Sequence, residues 1–248
     1  MTLLEVCVES VADARAAIDA GAQRVELCAA LSEGGLTPGA GALSEASEQL
    51  PRDSLVAMIR PRGGDALYDA SEREVILSEI DACRALGADG IALGMLDEHG
   101  HVHAEFLREC VAAAGEMQVC FHRAFDHCAD RDAALDVLID CGVTRVLTSG
   151  GAANVPAGLD EIARLVQRAG EHLVIVPAGG VREHNIAEVL ERTGAREIHV
   201  TADRERASKQ PFPAGAPALG RAGAEADRVR RELDPQRVAA YLAAMGAK

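Results

Sequence analysis

The chain has 248 residues, 48% of them hydrophobic, and a formal net charge of −14 at pH 7. That is ample for one core, while the acidity, the lack of a basic stripe and an aromatic content of only 2% exclude nucleic-acid binding by charge or base stacking and argue against an anionic membrane surface. No apolar run reaches the roughly 18 residues of a membrane span, no basic-then-apolar leader opens the chain, and seven scattered cysteines without a Cys-x-x-Cys pair read as reduced thiols of a cytoplasmic protein.

In chain order the predicted strands are Leu3–Val8, Arg24–Leu27, Leu55–Ile59, Gly90–Leu93, Gln118–Phe121, Arg145–Leu147, Leu173–Val176 and Glu197–Val200. Each is short and apolar, as parallel strands buried on both faces should be. Between them run helical stretches: Val11–Ala20, Ala40–Leu50, Glu72–Leu86, Glu105–Ala114, Asp130–Asp140, Leu159–Ala169 and Asn185–Glu191. One junction recurs: a helix ends in Gly, then Ala or Val, and the next strand starts two residues later, at Gly21, Gly87, Gly142 and Gly194. Serial repetition of this unit predicts an α/β fold, a (β/α)8 barrel filling residues 1–248 as a single domain. A doubly wound open sheet is the alternative, but no Gly-x-Gly-x-x-Gly turn follows the first strand. The eighth unit is irregular. Residues 203–233 read as a long, partly mobile loop rich in Pro, Ala, Gly and charge, and a last helix over 234–246 starts at Asp234-Pro235.

In such a barrel, chemistry sits at the C-terminal ends of the strands. Strands one and two each carry a carboxylate and a thiol two residues apart, Glu5-x-Cys7 and Glu26-x-Cys28. Side chains alternate along a strand, so Leu4, Val6, Val25 and Leu27 meet the helices and the four polar groups point inward. Buried carboxylates need partners, and Arg60, Arg62 and Arg123 are the expected ones. Neighbouring strands lie about 4.8 Å apart, so Cys7 and Cys28 are expected to come close. The motif CFHRAFD adds His122 and Asp126, TSGG adds Ser149 and Gly150, PAGG adds Gly179 and Gly180, and HVT adds His199 and Thr201. His99, His101 and His103 fall in a turn-rich segment and read as solvated. Cys83, Cys110 and Cys141 lie in or at the ends of helices and read as packing.

Two chemistries compete. Paired thiols in a reducing compartment suit a soft ion such as Cu(I), with Cys7 and Cys28 as ligands. The charged mouth suits an enzyme acting on a small anionic, phosphorylated substrate. Arg60, Arg62, Arg123, Ser149, Gly150, Gly179 and Gly180 would then bind it, and Glu5, Glu26, His122 and Asp126 would supply acid and base. No reaction is legible. A non-catalytic scaffold predicts a neutral mouth and fits worst.

The stretches LEVCVES, RVELCAALSEGGLTP, MIRPRGGD with Tyr68, FHRAFD, VLTSGG and PAGGVREHNI together resemble the CutC (copper homeostasis) family over roughly residues 3–201. The resemblance implies a cytosolic TIM-type barrel, homo-oligomeric as a dimer or tetramer, that binds or traffics Cu(I) through Cys7 and Cys28. The stretch SKQPFPAGAPALG after the eighth strand departs from the family pattern.

Overall fold

Eight strands hydrogen-bond edge to edge and all run parallel: β1 (Leu3–Val8), β2 (Arg24–Leu27), β3 (Leu55–Met58), β4 (Gly90–Leu93), β5 (Gln118–Phe121), β6 (Arg145–Thr148), β7 (Val174–Pro177) and β8 (Glu197–Thr201). β8 pairs with β1, and a bridge between Ala178 and His199 joins the β7 edge to β8, closing the barrel. The computed structural model describes residues 2–219 and 223–246, so the outermost residues of the predicted domain and positions 220–222 of the predicted loop lie outside the described residues.

The strands exist because both of their faces are buried. Outward-facing Leu4, Val6, Val25, Leu27, Leu55 and Ile91 pack under the helices with Ile76, Ile80 and Leu107. A second, smaller cluster fills the barrel interior and includes Cys7, Cys28, Met58, Cys120 and Leu147. The helices are α1 (Val11–Asp19), α2 (Ala40–Gln49), α3 (Ala70–Ala85), α4 (Ala104–Ala114), α5 (Arg131–Asp140), α6 (Leu159–Ala169), α7 (Ile186–Thr193) and α8 (Pro235–Gly246). Their starts are fixed locally. Ser10 caps α1, and Asp69 with Glu72 forms a reciprocal capping box on α3. Gly21, Gly87, Gly142 and Gly194 all adopt positive φ at the helix-to-strand junctions, as the repeated pattern predicts.

The segment read as one long loop is not featureless. Residues β9 (Asp203–Ala207) and β10 (Val229–Leu233) pair as an antiparallel ribbon, with Leu233 N–H donating to Asp13 Oδ1 at 2.9 Å. Its charged residues hid the alternation, because both faces of the ribbon are largely polar. Arg204 and Arg206 pair with Glu232, and Arg231 with Asp203 and Glu205. Tyr241 on α8 is fully buried, and its hydroxyl lies 3.2 Å from the carbonyls of both Val181 and Thr201. It thereby ties the last helix to the ends of β7 and β8.

Leu27 is fully buried between β2 and the helices. Leu27→Ala should cost about 2–5 kcal/mol of unfolding free energy, read as a lower urea midpoint. A loss below about 1 kcal/mol would mean that this face of β2 is not packed as described.

Candidate functional site

The two-residue period decides what enters the barrel. Glu5 and Cys7 of β1, Arg24 and Glu26 of β2 with Cys28 just beyond it, and Glu197 and His199 of β8 share the inward face. The parallel register sets Glu5 beside both Arg24 and His199, and Cys7 beside Glu26. Glu5 is 2% exposed and Arg24 4%. Arg24 donates from Nε to Glu5 Oε2 and from Nη2 to Glu197 Oε2. His199 Nδ1 lies 2.7 Å from Glu5 Oε1. Burial alone would raise the Glu5 carboxyl, but Arg24 and His199 outweigh it and hold the group well below the usual carboxylate range. For Arg24, burial opposes the charge and Glu5 and Glu197 more than restore it.

Above this ionic layer lie the thiols. Cys7 Sγ and Cys28 Sγ are 3.7 Å apart, and they lie 3.4 Å and 3.5 Å from Glu26 Oε2. His199 Nε2 is 3.9 Å from the same oxygen. Donor atoms of Cys7, Glu26 and His199 all fall within 4.8 Å of one another, the only such group of three among the described residues. The four groups perturb one another. The Cys28 hydrogen bond, against burial and with help from His199, pulls the Cys7 thiol down to about 6. Cys28 is pushed up by its bond to Cys7 and by burial. Burial and the neighbouring Cys7 raise Glu26 to about 8. Burial opposes protonation of His199, yet Glu26, Cys7 and Glu5 together raise it well above its ordinary value. The cluster thus favours the charged form of Cys7 and of His199 and disfavours that of Glu26 and Cys28.

A cavity of about 1300 Å³ opens above these groups. Cys7, Glu26 and His199 line its β1–β2–β8 side, and His122, Arg123 and Gly180 line the side of β5 and β7. The expected arginine partners are corrected here. Arg60 donates to the carbonyls of Glu33, Gly35 and Gly64, and Arg62 to Glu72 and Asp65. Their strand has ended, so they brace loops and do not reach Glu5 or Glu26. Arg123 pairs with Asp126 instead, at 2.8 Å. Asp126 also accepts from Thr148 Oγ1 at 2.5 Å and from the amides of Ser149 and Gly151 at 3.0 Å each, so both its oxygens are engaged in holding a turn. Ser149 is fully buried beneath Arg123, and a Cβ on Gly150 would meet Gly158 O at 2.6 Å. These two shape the wall without lining the cavity.

His122 Nδ1 accepts from Ala124 N–H at 3.1 Å, which leaves the ring proton on Nε2. Burial and the nearby Arg60 push this imidazole down to about 4, so it is a neutral donor at pH 7. Cys120 lies inside the barrel beneath the site, with burial raising its thiol to about 12. Asp97 Oδ1 accepts from the backbone N–H groups of His99 and His101 in a turn, and His103 caps α4, in line with their reading as turn residues.

Arg24 and Glu197 belong to no motif that the sequence makes visible, and His199 stands at a strand end with no partner legible there. A signal for them existed: Arg24 has the parity of Glu26, and Glu197 that of His199. Which partner each meets depends on register between strands, which parity does not give.

Arg24→Met should cost about 3–5 kcal/mol, because it strands Glu5 inside the barrel. Glu5 sits below its ordinary 4.5, so its contribution is present above that pH and is lost as the pH falls further. The variant has already lost the pairing, so the native protein should lose more stability than the variant between pH 5 and pH 3, an interval of about two units around that value, by urea unfolding. Parallel losses would show that Arg24 does not hold Glu5 ionised.

The sequence profile of the CutC family matches residues 2–204. A family protein CutC from Chromobacterium violaceum is 42% identical over 243 residues, 98% of this chain and 98% of that one. The human copper homeostasis protein cutC homolog is 43% identical over 220 residues, 88% of this chain and 80% of that one. A crystal structure of CutC from Streptococcus agalactiae superposes with a TM-score of 0.76 at 31% identity, covering 80% of this chain and 98% of that chain. By its profile match and its relatives across the barrel, the chain belongs to the CutC family.

Proposed function

We propose that the protein binds copper(I) as cargo at the barrel mouth, with Cys7 and Cys28 as ligands, in the service of cytoplasmic copper homeostasis. One observation carries the reading: the buried sulfurs of Cys7 on β1 and Cys28 at the end of β2 lie 3.7 Å apart, with Cys7 lining the cavity and Cys28 buried behind it. Sulfur ligands select soft ions, and copper(I) is softer than the divalent alternatives. The surrounding charge agrees. A monovalent ion on two thiolates carries one net negative charge, and the protonated His199 beside it supplies the compensating positive one. Glu5 keeps His199 oriented and charged. The name of the human relative points the same way. All seven cysteines are free and buried, the state that a reducing cytoplasm maintains.

An anaerobic copper(I) titration against a strong competing chelator should show one ion per chain. Binding should be lost in the Cys7→Ser, Cys28→Ser double variant. His199→Gln keeps both sulfurs and should bind roughly 10–100-fold more weakly. Binding that survives the double variant would remove copper from this site.

A further inference from the structure

The side of the mouth formed by β5 and β7 holds a second set of groups that a copper site does not use. Arg123 is fixed from below. Its Nε donates to Asp126 Oδ2 at 2.8 Å and its Nη2 to Ser149 Oγ at 2.9 Å, while Nη1 has no partner among the described residues. The turn after β7 presses against this guanidinium. Gly179 has φ +97°, and a Cβ there would lie 2.8 Å from Arg123 Nη1. Gly180 has φ +83°, and its Cβ would lie 2.7 Å from Asn154 Cβ. Bare backbone is thus required at both positions. The N–H groups of Gly180 and Val181 donate to nothing among the described residues. Arg182 follows, lines the same cavity and makes no ion pair among the described residues. A fourth group is His122, 8% exposed, which lines the cavity and whose buried Nε2 has no partner.

We propose that this wall is a binding site for a small phosphate monoester, its phosphate held by Arg123 and the Gly180–Val181 amides and an oxygen of its organic part by His122 Nε2–H. A fixed guanidinium edge and adjacent backbone amides form a convergent set of donors that matches a tetrahedral dianion. The position agrees with general barrel physics. The loops after the seventh and eighth strands are where (β/α)8 barrels hold phosphate. Glycines at positive φ let successive amides face one ligand. The acidic groups of the ribbon that reach this cavity are already paired, Asp203 and Glu205 with Arg231 at 2.9 Å and 3.3 Å and Glu232 with Arg204 and Arg206 at 3.0 Å and 2.8 Å. His122 is ready as a donor, since its other nitrogen is taken by Ala124 N–H. None of these groups hydrogen-bonds to Cys7 or Cys28, so the site stands or falls separately from copper.

Calorimetric titration of the copper-free chain with inorganic phosphate, glycerol 3-phosphate and glycerol tests it. Both phosphate probes should bind and glycerol should not, with glycerol 3-phosphate the tighter. Arg123→Gln should weaken binding at least about tenfold, the value of one charge-assisted hydrogen bond. Arg62→Gln, which removes a cation outside the cavity, should leave it unchanged, as should Cys7→Ser with Cys28→Ser. Arg123 also braces the β6 turn. If its variant does not fold, Arg182→Gln on the exposed part of the same wall should weaken binding roughly three- to tenfold. Absence of binding by both phosphate probes at millimolar concentration would overturn the proposal. So would equal weakening by Arg62→Gln and by the Arg123 or Arg182 variant, which would reduce the effect to overall surface charge.

Discussion

A carboxylate inside a barrel is the constraint from which the rest of this interior follows. Glu5 occupies a position where Val or Leu would cost nothing to bury. It is tolerated because Arg24 and His199 meet its two oxygens separately. Arg24 then needs Glu197 to complete its own neutralisation. His199, held by Glu5 on one nitrogen, presents the other toward Glu26 and Cys7 as a positive charge. That charge helps lower the Cys7 thiol, while burial and Cys7 raise the Glu26 carboxyl. The chain of dependence runs from a buried acid at the level of β1 to the reactivity of a thiol one layer above. Replacing the ionic layer with apolar residues of similar volume would cost little stability. It would remove the electrostatics that prepare the thiols.

The mouth has two chemically distinct sides. On β1, β2 and β8 the groups are soft or titratable, and they touch one another. On β5 and β7 they are hard donors held apart from the thiols, with Asp126 fully occupied in fixing Arg123 and the β6 turn. One cavity spans both. A soft cation at the first and an oxyanion at the second are compatible, because each side supplies its own counter-charge.

The sequence made the barrel legible because two signals repeat. The helix–Gly–strand junction recurs with the same spacing, and each strand is apolar on both parities except where polar groups enter the interior. That exception revealed Glu5, Cys7, Glu26 and Cys28. The ion pairs were less accessible. Arg60 and Arg62 follow the end of β3 at Met58 by two and four residues; Arg60 still lines the cavity, but their positions in the loop direct the guanidiniums to backbone carbonyls and to Glu72 and away from Glu5 and Glu26. Arg24 sits within a strand where an apolar residue is expected, and its partner is 173 positions away in Glu197. Only the closure of β8 onto β1 brings them together. The β9–β10 ribbon escaped for a different reason: with neither face buried it has no apolar period, and its cross-strand ion pairs read along the chain as unpatterned charge.

The proposed copper site requires that Cys7 on β1 and Cys28 at the end of β2 act as one ligand set. Copper K-edge X-ray absorption of the copper(I)-loaded native chain measures this most directly, since it counts the sulfur atoms around the ion. Two sulfur scatterers, reduced to one in Cys28→Ser, are the predicted result. A first shell of nitrogen and oxygen alone, or a sulfur count unmoved by that substitution, would contradict the account.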